Sequence, residues 1–252
     1  MKCILLAAGY ATRLYPLTEK KPKALLELGG KTILDKVMEK IEEVPEIDTI
    51  YIVTNQKFAG QFESWRQNRK NSKRVEIIND HTGSNDTRLG AIGDLYFTIC
   101  QKNIDDEILV MASDNIFDFS LNDVVRLQRQ AKTDVICANP VEERRQLTQM
   151  GVVEIAEDGR VMGFEEKPQE PKTNWGAAPF YLYTKETAAL VGRYLEEGNN
   201  PDAPGHFIPW LLKHVPVYAY TTSKMRIDIG TPEDYERVKQ QLKQGKLFKK
   251  EG

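Results

Sequence analysis

Cysteine is scarce in this chain: Cys3, Cys100 and Cys137 are the only three in 252 residues. They are odd in number, far apart and each set in an apolar stretch. That excludes a disulfide framework or a zinc site and fits three buried thiols in a reducing cytosol. No apolar run approaches the roughly 20 residues of a bilayer span. The short apolar stretch after Lys2 runs into Thr12, Arg13 and further charges, not into a cleavage site. Charge of one sign is also lacking. Lys and Arg number 35 against 37 Asp and Glu, for a net charge of −2, so bulk attraction to nucleic acid or an anionic membrane is not expected. Neither a G-x-G-x-x-G fingerprint nor a P-loop follows the first apolar run, because Gly9 is followed by Tyr10, Ala11 and Thr12. This argues against a nicotinamide-binding Rossmann domain. Hydrophobic residues at 40% and charged residues at 29% exclude disorder.

What is present is an alternation of apolar runs and helical patterns. Residues 3–7, 49–54, 75–78, 107–112 and 134–138 read as buried strands. Helical spacing covers 33–41, 59–69, 89–100 and 121–131, with Ser120 as an N-cap. Strands alternating with helices of this length point to βαβ units and a mostly parallel sheet. After Pro140 the rhythm changes. Residues 152–155 and 160–164 read as a hairpin around Asp158-Gly159, a pair suited to a type I′ turn. A strand at 178–183, helices at 186–196 and 207–214 and a strand at 215–221 follow. Thr231-Pro232 opens a last helix, and the basic residues 243–252 read as a frayed tail. The expectation is one α/β domain over 1–252, with a Rossmann-like, mostly parallel sheet flanked by helices in 1–140 and a hairpin-rich half in 141–252.

The stretch from Leu5 to Leu26 carries the most chemistry. A strand that ends in small residues lets the backbone approach a ligand, and its free amides can hold phosphate oxygens. Arg13 adds a bidentate donor and Lys23 a compact point charge. Asp114, after the apolar run 108–112, and Asp228, before Ile229-Gly230-Thr231-Pro232, are hard oxygen ligands suited to a divalent ion and phosphates if they converge. Each alone reads as a turn or helix cap. Phe164-Glu-Glu-Lys-Pro168 alone reads as a solvated turn.

Leu6-Ala-Ala-Gly-x-x-Thr-Arg-Leu-x-Pro-Leu-Thr18, with Pro22-Lys23 and Leu25-Leu26, resembles the signature of sugar-1-phosphate nucleotidyltransferases, the nucleotide-sugar pyrophosphorylases typified by glucose-1-phosphate thymidylyltransferase. Asp114, Glu166-Lys167-Pro168 and Asp228-Ile-Gly-Thr-Pro232 match the family's later motifs in order. The resemblance implies a nucleotide-binding loop of Ala8, Gly9, Tyr10, Ala11 and Thr12. It implies that Arg13 holds the triphosphate and that Lys23 stabilises charge at the attacked phosphorus, which makes these two the catalytic candidates. Asp114 and Asp228 would hold Mg2+, Glu166 the sugar hydroxyls and Lys167 the sugar phosphate. The chain departs from the pattern at Ala11 and Pro179, where the family has glycine. It also lacks the usual base-reading glutamine, and offers Asn79, Thr82 or Asn85 before the small-residue run that contains Gly90.

The implied reaction is NTP plus sugar-1-phosphate giving NDP-sugar and pyrophosphate, in the cytoplasm. Nucleotide and sugar phosphate are the partners, without nucleic acid or membrane, and a homo-oligomer is left open. Two alternatives keep the fold: a cytidylyltransferase for phosphocholine or another small phosphate, and a non-catalytic regulatory subunit. Nucleobase and sugar are open.

Overall fold

The computed structural model describes residues 1–70, 72–244 and 247. Its first half contains β1 (Lys2–Leu6), β2 (Glu27–Leu28), β3 (Lys31–Thr32), α1 (Ile33–Glu42), β4 (Thr49–Thr54), α2 (Ala59–Gln67), β5 (Arg74–Asn79), α3 (Ala91–Lys102), β6 (Ile108–Ala112), β7 (Asn115–Phe117), α4 (Leu121–Ala131) and β8 (Asp134–Pro140). The second adds α5 (Arg144–Leu147), β9 (Gly151–Ile155), β10 (Val161–Glu166), β11 (Trp175–Tyr183), α6 (Lys185–Glu196), α7 (Phe207–Leu211), β12 (Val217–Thr221), β13 (Arg226–Asp228) and α8 (Pro232–Lys243). Of the tail at 243–252, Lys243 closes α8, and all but Gln244 and Leu247 of the rest lie outside the described residues.

One sheet runs through both halves. Strands β6, β1, β4 and β5 lie side by side and parallel, with Ile4 opposite Tyr51 and Val110. β11 then enters antiparallel between β6 and β8, the β9–β10 hairpin joins its N-terminal part, and β12 lies parallel to β8. The central strands are apolar throughout because both faces are covered. Cys3 and Leu5 point into one layer with α1, α2 and α4, while Ile4 points into the other with α3, α6 and α7. The stripe Leu34, Val37, Met38 and Ile41 shows why α1 forms where it does: all four are at most 1% exposed. Each such side chain contributes about 1.5–3 kcal/mol by burial. A capping box between Thr32 and Asp35 starts that helix, and Thr231 caps α8 with Pro232 at its first position. No helix among the described residues is long and apolar enough to cross a membrane.

Several expectations are corrected. Cys100 is exposed, because the buried stripe of α3 runs through Ile92, Leu95 and Thr98 and leaves it outside. Ser120 occupies the N-cap of α4, but its hydroxyl makes no capping bond. The hairpin turn is not type I′. That turn needs two left-handed residues, and here Gly159 alone has a positive φ, of 86°. Gly159 N–H donates to Ala156 O and Ala156 N–H to Arg160 O, which gives a longer loop with glycine at its left-handed corner. β11 begins at Trp175, and its pairing with β8 skips two residues between Ala178 and Tyr181. Pro179, which has no N–H to give a ladder, sits in that bulge.

Candidate active site

The C-terminal ends of β1, β4, β5 and β6 share one edge of the sheet, the usual place for a ligand in an open α/β sheet. The glycine loop leaves β1 there. Asn55 Nδ2, just past β4, donates to Ala8 O at 2.8 Å, and Tyr10 OH donates to Thr82 O at 3.2 Å. Gly9 is exposed, with open space where a Cβ would stand. Ala11 adopts φ 47°, ψ 44°, so the chain keeps the left-handed backbone of a glycine at this position. That costs an L-residue roughly 1–2 kcal/mol. The bonds Thr18 Oγ1–H to Ala11 O (2.7 Å) and Leu14 N–H to Ala11 O (2.9 Å) hold it there. Thr12 and Arg13 follow in a single 3₁₀ turn, both exposed. Gly9, Arg13, Lys23, Ser113, Asp114 and Gly230 line a cleft of about 210 Å³ in front of this loop.

Lys23 lines the same cleft from the 3₁₀ turn Lys23–Leu25. Its Nζ is 2.7 Å from Asp114 Oδ2 and 2.9 Å from Asp228 Oδ1. The two aspartates, distant in sequence, meet because β7 and β13 form a separate two-stranded ribbon that pairs Asn115 with Asp228. Asn115 is part of the same network: its Nδ2 donates to Asp114 Oδ1 at 3.0 Å, and its Oδ1 accepts from Arg226 Nη1 at 2.7 Å. The electrostatics follow from this alternation of charges. Burial opposes the Lys23 charge, yet Asp114 and Asp228 outweigh it and raise the ammonium above its ordinary value. Burial likewise pushes Asp114 up, and Lys23 overcomes it, holding that carboxyl low. Arg226 is lowered, because burial exceeds the help it receives from Asp228, Tyr181 and Asp114.

The residues expected at the two ends of the substrate cleft are placed less simply. The amide of Asn79 is already engaged, donating across to Gln56 Oε1 in the segment after β4 at 2.6 Å and accepting from His81 N–H at 2.9 Å. Gly90 has φ 82°, and a Cβ there would stand 2.5 Å from Pro201 O. The amides of Ala91 and Ile92 donate to Asp202 O and Pro201 O, so backbone carbonyls cap the start of α3. At the other end Glu166 closes β10, half-buried, with burial pushing its carboxyl up against the lowering influence of Lys167 and His206. Gly205 gives it room, since a Cβ there would come within 1.9 Å of Glu166 Oε2. Lys167 is exposed and takes φ 51°, and its N–H donates to Met150 O at 3.1 Å. Asn115 and Arg226 are the residues that motif reading missed. Arg226 stands two residues before a singled-out aspartate, but its role depends on a ribbon too short to announce itself.

Among the described residues no group of three or more His, Cys, Asp or Glu side chains could hold a metal ion. Asp114 and Asp228 nevertheless converge on one positive charge, that of Lys23. A hard divalent cation fits such a pair when water and substrate phosphates complete its oxygen shell.

A Sulfolobus acidocaldarius protein named as a mannose-1-phosphate guanyltransferase is 29% identical over 96% of this chain, and the chain spans 63% of that protein's length. The UTP–glucose-1-phosphate uridylyltransferase of Haloferax volcanii is 27% identical, over 97% of both chains. Among solved structures, one from Bacillus anthracis named as a glucose-1-phosphate thymidylyltransferase superposes with a TM-score of 0.75 at 24% identity, covering 100% of this chain and 98% of its own. A UDP-glucose pyrophosphorylase bound to UDP-glucose gives 0.80 at 18% identity, with 97% and 98% covered. These likenesses show the fold. The family pattern described as nucleotidyl transferase matches residues 2–245, nearly the whole chain, and the protein belongs to that family.

Proposed function

We propose that the chain transfers a nucleotidyl group from an NTP to a sugar-1-phosphate, releasing pyrophosphate and an NDP-sugar. The observation that carries this is the Lys23 ammonium held between Asp114 and Asp228 at the rim of the glycine-loop cleft. A phosphate monoester is already an anion, so attack on the α-phosphorus asks little proton transfer of the protein. It asks instead for alignment and for charge neutralisation. Ala8, Gly9, Tyr10, Ala11 and Thr12 would cradle the triphosphate, with Arg13 as its bidentate partner. Lys23 would stabilise charge at the attacked phosphorus. Asp114 and Asp228 would hold Mg2+, which when bound neutralises phosphate charge and orients the leaving pyrophosphate.

Residues 1–140 then form the nucleotide half, with Asn79 and Gly90 shaping the base end. Residues 141–252 form the acceptor half, where Glu166 would meet sugar hydroxyls and Lys167 the sugar phosphate. Relatives named for guanylyl, uridylyl and adenylyl transfer to sugar phosphates support the reaction class and leave the base open. Both substrates are charged phosphate esters that do not cross membranes unaided, so we assign the enzyme to the cytoplasm.

The test is a grid of ATP, CTP, GTP, UTP and dTTP against hexose-1-phosphates, hexosamine-1-phosphates and phosphocholine, with pyrophosphate as the readout. Release with a sugar-1-phosphate is the expected result. Release only with CTP and phosphocholine would replace the acceptor. No release with any pair would leave a non-catalytic member of the family.

A further inference from the structure

Asp80 and Asp94 take no part in the chemistry above, yet they are 5% and 6% exposed. Asp80 follows β5 and Asp94 lies in the first turns of α3, close enough for the Asp80 charge to bear on the Asp94 carboxyl. Among the described residues Asp94 Oδ1 has no hydrogen-bond partner, and no cation bears on Asp94. Lys102 is bound to Glu76, Arg88 to Asp202 and Arg193 of α6 to Glu197. Lys57, after β4, lies over the Phe58 ring, and His81 turns its ring toward Phe97. Tyr51 of β4 lies in the apolar layer with Ile92 and Leu95, and Tyr96 faces Cys100. Two carboxyls in such a setting cannot both be ionised at modest cost.

The pair is linked to the glycine loop through two further contacts. Asp80 Oδ1 accepts from Thr82 N–H at 2.7 Å and from Thr82 Oγ1–H at 2.8 Å. The carbonyl of Thr82 accepts from Tyr10 OH, in the middle of the loop. We propose that Asp80 and Asp94 are positioning residues for the nucleotide: with one proton between them they fix Thr82, Thr82 fixes Tyr10, and Tyr10 sets the loop that receives the triphosphate. Burial first, and then the Asp80 charge, push Asp94 up to about 8. Above that pH the shared proton is lost to water, the carboxylates repel, and the clamp on Thr82 loosens.

This rests on the nucleotide-cleft reading, and the experiment separates the two. Wild type and Asp94→Asn, whose amide keeps a donor toward Asp80 without gaining charge, are titrated with ATP, CTP, GTP, UTP and dTTP plus magnesium. The range is about pH 7 to about pH 9. The ratio of wild-type to variant Kd is read, which cancels the nucleotide's own titration. It should rise about tenfold across the range, as one proton lost near the middle requires, while kcat for the bound complex changes far less. An infrared difference spectrum near neutral pH should show one protonated carboxyl in wild type that the variant lacks. That signal needs no nucleotide, so it holds even if no triphosphate binds and the functional reading fails. A Kd ratio independent of pH, or no protonated carboxyl near neutral pH, overturns the proposal. If Asp94→Asn does not fold, the wild-type protonated-carboxyl infrared band is followed over the same pH range; it should fade as pH rises, and a band that does not fade overturns the proposal.

Discussion

Replacing Lys23 by methionine keeps the length of the side chain and much of its packing but removes the charge that joins Asp114 to Asp228. The consequence for a divalent ion can be worked from the geometry. Asp228 is 55% exposed on its side chain, so a water-like dielectric is the fair choice for its attraction to Lys23 at 2.9 Å. Coulomb's law then gives about 1.4 kcal/mol, or about tenfold in an equilibrium constant. Asp114, at 2.7 Å and 28% exposed, adds to this. An ion that needs these carboxylates must displace that attraction in the free protein. Mn2+, titrated calorimetrically into the protein without nucleotide, should therefore bind Lys23→Met at least about tenfold more tightly than wild type. Turnover should move the other way, with kcat falling about 10²–10³-fold, the usual loss for a contact made as charge develops. Unchanged or weaker Mn2+ binding in the variant would show that lysine and metal do not compete for the two aspartates.

Lys167→Ala should raise the KM for the sugar phosphate more than it lowers kcat and leave the KM for NTP nearly constant, as expected for a contact made equally in ground and transition states. Steady-state kinetics with each substrate varied would detect the opposite pattern. Gly205→Ala places a methyl group where Glu166 Oε2 now stands. Circular dichroism should remain native while the KM for the sugar phosphate rises about tenfold or more, and an unchanged KM would remove Glu166 from acceptor binding. Burial pushes Asp134 up to about 6 against the lowering bonds from Thr187 and Thr184. A raised carboxyl pKa means the folded state holds the proton more tightly. Its contribution to stability is complete below about pH 4 and is lost as pH rises through about 6. The Tm of wild type relative to Asp134→Asn should therefore fall over that window, and a constant difference would contradict the assignment.

Much of the fold was legible in the sequence because its central strands are continuous apolar runs and its helices carry stripes such as Leu34, Val37, Met38 and Ile41. The glycine loop, Lys23 and both aspartates stood out by motif. Their convergence did not. Lys23 and Asp228 are 205 residues apart, and the ribbon that joins the aspartate segments uses strands of three residues each, β7 and β13. Strands that short carry no readable alternation. The same limit hid Asn115 and Arg226. Ala11 reads as a departure from a glycine, and nothing local shows that the loop would hold alanine in the left-handed region. Asp80 and Asp94 look like two solvated acids, since a polar loop and a helix N-terminus both favour aspartate. Only the packing of α3 on β1 and β4, next to the strand that β5 adds, makes them a pair. Cys100 shows the converse error, where an apolar local context did not mean burial.

The reaction class itself is tested most directly by phosphorus NMR of the wild-type protein with magnesium, the productive NTP and its sugar-1-phosphate. The expected spectrum gains a sugar-nucleotide diphosphate and inorganic pyrophosphate in equal amounts as both substrates decline. With Asp228→Asn the conversion should be lost while the protein remains folded. Orthophosphate or free NDP as the product would instead mean hydrolysis or phosphoryl transfer, and would contradict nucleotidyl transfer at this site.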